Sequence, residues 1–177
     1  RWLTQRGVTC FILSYRLPAE GWAKRALVPL QDAQRAMRII RARASEFALD
    51  PKRLAVLGFS AGGHLGGSLA TRFAEETYAP LDAIDEVSAR PDLAGLIYPV
   101  ISMHRPEAHE GSRRNLIGET ASPAMERRHS PHENVMPDSP PCFLVHAEDD
   151  PAVPITNSLL LRDAWRAKGL PVESHFF

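Results

Sequence analysis

Apolar residues fall into two kinds of run along this chain. The first kind is short and nearly continuous, at residues 8–15, 53–59, 93–98, 142–146 and 172–177. Such runs, rich in Val, Ile, Leu and Phe and bounded by turn residues, predict buried strands. The unbroken stretch Leu54, Ala55, Val56, Leu57 suits a parallel strand covered on both faces. The second kind steps by three and four residues. Leu30, Ala33, Met37, Ile40, Ala44 and Phe47 mark one face of an amphipathic helix that Asp50-Pro51 ends. A second helix is predicted over 60–73, with Leu65, Leu69 and Phe73 on one face. A third spans 155–168 and is stopped by Gly169 and Pro171.

Strands that alternate with helices predict an α/β fold, a mostly parallel sheet with helices on both sides. Residues 17–26, with Pro18 and Gly21, read as a loop. Between 99 and 141 the pattern weakens and Pro, Ser and His accumulate, which predicts a cap-like excursion of loops and short helices above the sheet. Cys10 and Cys142 both lie inside apolar runs and read as buried thiols.

Composition narrows the picture. A chain of 177 residues that is 44% hydrophobic suits one domain over 1–177 with a real core. Lys plus Arg and Asp plus Glu are both 21, so no net field draws in a nucleic acid. No apolar stretch reaches the roughly 20 residues of a membrane span. The chain starts Arg1-Trp2-Leu3, with neither Met nor leader, and so reads as an internal fragment. That leaves the compartment unknown, a secreted or periplasmic parent being one option.

The chemistry concentrates at Gly58-Phe59-Ser60-Ala61-Gly62, which follows a predicted strand and opens a predicted helix. This is the G-x-S-x-G elbow in the context that its mechanism requires. The turn lifts the Ser60 hydroxyl above the sheet as a nucleophile. Small residues two before and two after it let strand and helix pass, and the N–H of Ala61 is left free to bond an oxyanion. The glycines at 62, 63, 66 and 67 are costly in a helix and point to close approach by its neighbours.

A serine hydroxyl needs a base, usually His, oriented by a carboxylate, in the chain order Ser, acid, His. The loop after the fourth strand carries Glu148, Asp149 and Asp150. Asp150 precedes Pro151-Ala152-Val153-Pro154, a turn that would hold it rigidly. Glu148 and Asp149 read as solvent-facing or as a cap for the helix at Ile155.

Gly58 to Leu65, Tyr98-Pro99-Val100-Ile101-Ser102 and the loop 146–154 resemble α/β-hydrolase esterases of the acetylxylan-esterase-like group, which also goes under xylanase names. The stretch 138–157 is similar to that group's acid loop, and the resemblance runs from Trp2 to Phe177. It implies Ser60 as nucleophile, Asp150 as acid and Ala61 in the oxyanion hole. The implied reaction is hydrolysis of esters, such as those of acetylated polysaccharide or oligosaccharide, with no metal or other cofactor. The partner is then a small-molecule or oligosaccharide ester. Two parts of the family pattern have no counterpart here, a His-Gly-Gly-type loop before residue 8 and a Gly-His-Gly-type loop after the last strand. The catalytic His is therefore expected to be absent from this chain, and the chain alone inactive.

Seven histidines are present. His64 lies one helical turn beyond Ser60 and reads as a packing or pocket-wall residue. His146 packs at a strand end, and His175 lies before the place where the family's base would come. His104, His109, His129 and His132 fall in the excursion, without further fixed ligands for a zinc site. Two rival readings stay open: a prolyl-oligopeptidase-type peptidase with the same elbow and acid loop, or a non-catalytic α/β-hydrolase-like domain. In the family's sheet order a strand lies between 8–15 and 53–59. Without it, the two either pair directly or stand apart by about twice the ~4.8 Å strand spacing. A gap would leave backbone groups unpaired and predicts poor solubility.

Overall fold

The computed structural model describes residues 1–18 and 21–177. Part of the loop expected over 17–26, namely Ala19 and Glu20, lies outside the described residues. The framework is a four-stranded parallel sheet, β1 (Ala55–Phe59), β2 (Leu93–Ile97), β3 (Cys142–His146) and β4 (Val172–Phe176), in that spatial order. Helices flank it: α1 (Val28–Ala42), α2 (Ala61–Arg72), α3 (Glu110–Ile117), α4 (Pro123–Arg128) and α5 (Thr156–Ala167). Among the described residues no helix is long and apolar enough to cross a membrane.

The register explains which side chains meet. Val56 stands opposite Ala94, Ala94 opposite Cys142, and Cys142 opposite Val172, so these share one face. On that face Ala94, Leu96, Cys142 and Leu144 pack against Ala70 of α2 and Leu161 and Trp165 of α5 in one buried cluster. Trp165 is fully buried, and its indole N–H donates to the Pro140 carbonyl, 2.9 Å away, so the large ring leaves no polar atom unpaired. Burying each of these large side chains contributes about 1.5–3 kcal/mol. A second cluster joins Leu30, Ala33 and Met37 of α1 to Leu65 and Leu69 of α2. The expected α1 stripe is therefore real, but the helix ends at Ala42. A short 3₁₀ turn (Ala44–Phe47) carries the rest, and Ala48 in the left-handed region closes it.

Three expectations need correction. Residues 8–15 form no strand, and β1 pairs only with β2, so direct pairing of the two runs does not occur. A strand needs a neighbour for its N–H and C=O groups, and none of the described strands supplies one here. Ile12 is accordingly 96% exposed. Cys10, in the same run, is exposed rather than buried, whereas burial pushes the Cys142 thiol up to about 12. β1 is also not covered on both faces. It alternates, with Leu57 48% and Phe59 50% exposed on the face away from α2 and α5.

The segment between β2 and β3 holds α3 and α4, and it is wired largely to itself. The buried Arg113 guanidinium donates to the carbonyls of Met103, Gly118 and Glu119 and pairs with Glu126. Ser130 Oγ accepts from the N–H of Met103 and donates to the Glu126 carbonyl.

Candidate active site

All four strands run the same way, so the residues that follow them gather at one edge of the sheet. Ser60 follows β1, Tyr98 and Pro99 follow β2, 147–150 follow β3, and Phe177 follows β4. In open parallel sheets this carboxyl edge is where ligands bind.

Ser60 is the residue between β1 and α2, and its backbone is held at φ 51°, ψ −120°. A non-glycine residue there costs about 1–3 kcal/mol, which its surroundings must over-determine. They do so through three hydrogen bonds. Its N–H donates to the Ile97 carbonyl (3.1 Å), and its own carbonyl accepts from His64 (3.1 Å) and Val100 (3.2 Å). Tyr98, at the end of the adjacent strand, also has a positive φ, 36°. Two strained residues thus sit side by side at the sheet edge. Among the described residues the Ser60 hydroxyl has no hydrogen-bond partner. The N–H groups of the first turn of α2, Ala61 included, have no acceptor within the helix.

Close approach accounts for the glycines around this turn, although not in the pattern that the sequence suggests. A Cβ on Gly58 would stand 2.2 Å from the Gly62 carbonyl oxygen and 2.9 Å from the Gly63 Cα. A Cβ on Gly63 would stand 2.7 Å from the Cβ and 2.8 Å from the Cα of Pro99, and one on Gly66 would meet Leu96 at 2.9 Å. Gly62, by contrast, has open space around it. The residue that lets α2 pass its neighbour is Gly63, one position later than the motif implies.

Asp150 accepts from the N–H groups of Ala152 (2.8 Å) and Val153 (3.0 Å) through Oδ1. The Val153 and Ala152 N–H groups hold its carboxyl below the usual carboxylate range. Oδ2 lies 3.6 Å from Nε2 of His146. Glu148 and Asp149 are exposed. Of the three carboxylates in this loop, Asp150 is the one whose position the turn dictates.

Sequence reasoning missed the residue that secures this loop. Asn157, in the first turn of α5, is fully buried. Its Oδ1 accepts from the N–H groups of Ile101 (2.8 Å) and Ser102 (2.9 Å), and its Nδ2 donates to the carbonyls of Glu107 (2.9 Å) and Pro154 (3.0 Å). It therefore ties the segment after β2 to the turn that holds Asp150. His146 works beside it. The ring is fully buried, with Nδ1 2.8 Å from Ser158 Oγ and Nε2 3.0 Å from the Val153 carbonyl.

The other histidines are engaged elsewhere. His64 Nε2 is 2.8 Å from the His129 carbonyl, so this nitrogen carries the proton, and burial lowers the ring to about 4. His104 pairs with Glu133 (2.6 Å), His109 caps α3, and His175 is exposed beside Glu173 (2.7 Å). Among the described residues no group of three or more His, Cys, Asp or Glu side chains converges to hold a metal ion. A cavity of about 220 Å3 opens beside Ala61 and runs along α2, walled by His64, Leu65, Ser68 and Arg72 on that helix.

Comparisons with known proteins agree on one group. Residues 2–165 match the family described as BD-FAE. The chain is 37% identical over 172 residues to an endo-1,4-beta-xylanase B of Butyrivibrio fibrisolvens, covering 97% of this chain and 27% of that protein. It is 31% identical over 172 residues to an acetylxylan esterase of Xylanibacter ruminicola, covering 95% of this chain and 32% of that protein. Among solved structures, an acetyl ester-xyloside bifunctional hydrolase from Caldicellulosiruptor lactoaceticus superposes with a TM-score of 0.90 at 41% identity, over 99% of this chain and 63% of that one. The chain thus spans about a third or less of these curated relatives' length and less than two thirds of the solved one's.

Proposed function

The chain belongs to the BD-FAE family, and from that premise we propose that it carries the nucleophile and the acid of a serine esterase. Its parallel sheet with flanking helices is an α/β-hydrolase fold, and its relatives include esterases. The observation that carries the proposal is the backbone of Ser60, at φ 51° on the turn between β1 and α2 with its hydroxyl unpartnered. A strained turn of this kind, with free N–H groups behind it, is what an exposed nucleophile needs.

In this reading the Ser60 oxygen attacks the ester carbonyl, and its proton passes to a histidine. The N–H of Ala61 bonds the developing oxyanion. Asp150, kept ionised by its two backbone donors, orients that histidine. The alcohol leaves, and water releases the acyl group from Ser60. The substrate class is carboxylic esters, in particular acetyl esters of carbohydrate, in keeping with the acetylxylan esterase and acetyl ester-xyloside hydrolase among the relatives. The segment 99–141 forms the cap-like wall over the site within one domain spanning 1–177. None of the seven histidines is paired with Asp150 in a way that leaves it free to serve Ser60. The closest, His146, has both ring nitrogens occupied by Ser158 and Val153. The base then comes from outside these 177 residues, and so does the second oxyanion donor.

A fluorophosphonate probe applied to the full-length protein tests this reading. We expect covalent labelling at Ser60, and a full-length protein that takes no label there would refute it. The 177-residue chain alone is expected to hydrolyse p-nitrophenyl acetate no faster than its Ser60→Ala variant. A clear Ser60-dependent rate would place the base within the chain.

A further inference from the structure

Ala61, His64, Leu65, Ser68 and Arg72 all face the cavity of about 220 Å3, because steps of three and four keep them on one stripe of α2. The volume equals about seven water molecules. The opposite wall is mostly apolar, with Tyr15, Leu30, Met103 and Leu116. The end away from Ser60 is different.

Arg72 lies there, only 7% exposed. Its Nε donates to Glu75 (2.6 Å), while Nη2 is sealed from solvent with no hydrogen-bond partner among the described residues. Glu75 is also held by Arg128. Arg128 is half exposed and its charge is solvated, so the unmet need on this wall is the buried Arg72 Nη2. Burial would raise Glu75, but the two arginines outweigh it and bring it to about 2, so this carboxylate is already fully committed. The histidines on the same wall add no counter-charge. Burial lowers His64 to about 4 and His129 to about 3, so both are neutral at pH 7.

A buried donor without a partner is costly unless an acceptor joins it. A guanidinium with free terminal nitrogens matches a carboxylate in shape as well as in charge. About 16 Å of helix axis separates Ala61 from Arg72, and long helical side chains lean back toward the N-terminus. The guanidinium therefore closes part of that distance.

We propose that this cavity is a carboxylate-binding pocket anchored by Arg72. It takes acyl groups with a short apolar body and a terminal carboxylate, as in the half-esters of small dicarboxylic acids. That the occupant is the acyl part of a substrate rests on the esterase reading of Ser60 and Ala61; the carboxylate site itself rests on the cavity and the unpartnered Arg72 nitrogen.

The test separates the two. The chain carrying Ser60→Ala is titrated with monomethyl glutarate and with dimethyl glutarate, followed by amide shifts in NMR spectra. The charged compound should bind about tenfold tighter or more, with shifts at the Ser68 and Arg72 amides. Arg72→Met should remove that preference. This substitution leaves Glu75 paired with Arg128 and so strands no carboxylate. Equal affinities, a preference that survives Arg72→Met, or a preference without shifts at Ser68 and Arg72 would each overturn the proposal, the first and last without any need for the variant to fold. Failure of the esterase reading would show separately, as absent labelling of Ser60 in the full-length protein.

Discussion

Replacing Asn157 by leucine, which fills a similar volume, should unravel the brace between the segment after β2 and the loop at 147–154. In the structure Asn157 satisfies four backbone groups. The Pro154 carbonyl keeps a second partner, the N–H of residue 157 itself (3.0 Å). Three groups are then orphaned in the variant: the N–H groups of Ile101 and Ser102 and the carbonyl of Glu107. Each buried unpaired group costs about 1–3 kcal/mol. Partial relaxation of neighbouring loops brings the total nearer the lower bound, about 3–5 kcal/mol. For a chain of this size that lowers the melting temperature by roughly 6–20 °C. Equilibrium urea unfolding followed by circular dichroism measures it, with exposed Asp163→Asn as a control that should stay within about 0.5 kcal/mol. A loss below about 1 kcal/mol would refute the reasoning, because it would mean that the Ile101 and Ser102 N–H groups find other acceptors at no cost.

Two further outcomes follow from the same structure. Gly58→Ala places a Cβ against the carbonyl of Gly62 and the Cα of Gly63, both backbone atoms that cannot swing aside. It should abolish fluorophosphonate labelling of Ser60 in the full-length protein and destabilise it by about 3 kcal/mol or more, whereas Gly62→Ala, with open space, should keep the label. Stability should also fall as pH drops from about 6.5 toward 4. The unfolded chain binds protons at His64 and His129 in that window while burial keeps the folded rings neutral down to about 4 and about 3. The full contribution is therefore present above pH 6.5, and the slope approaches about 1.4 kcal/mol per pH unit for each ring. His64→Gln should remove its share of the slope, and an unchanged slope in that variant would contradict the assignment.

The sheet and its helices were legible because their signals are local. The runs at β2, β3 and β4 match the observed strands to within a residue, and α5 carries its stripe of Leu161 and Trp165 at a spacing of four. The run at 8–15 failed because a strand is a property of a pair. Its apolar residues say nothing about whether a partner stands beside it. The turn at Ser60 was legible because the motif carries a fixed order of strand, serine and helix, and β1, Ser60 and α2 follow it. Which glycine makes the close approach was not, since Gly62 and Gly63 differ only in what Pro99 brings near them. Asn157 did carry a signal. It continues the Leu161–Trp165 stripe one step back, so it is a polar residue on the buried face of α5. His146 does the same on the inner face of β3, after Cys142 and Leu144. A polar residue at a core position asks what it bonds; for Asn157 the answer is the backbone of Ile101, Ser102, Glu107 and Pro154, and for His146 it is Ser158 Oγ and the Val153 carbonyl.

Arg113 spends its hydrogen bonds on carbonyls from Met103 to Glu119 and on Glu126, all within one stretch of chain. That stretch is therefore a module with its own keystone, set on a frame whose geometry is fixed from beneath. Exchanging it as a unit, Arg113 included, keeps the buried guanidinium together with its acceptors. Changing its loops piecemeal removes acceptors from a buried guanidinium. The natural junctions for such an exchange are Ser102 and Ser130.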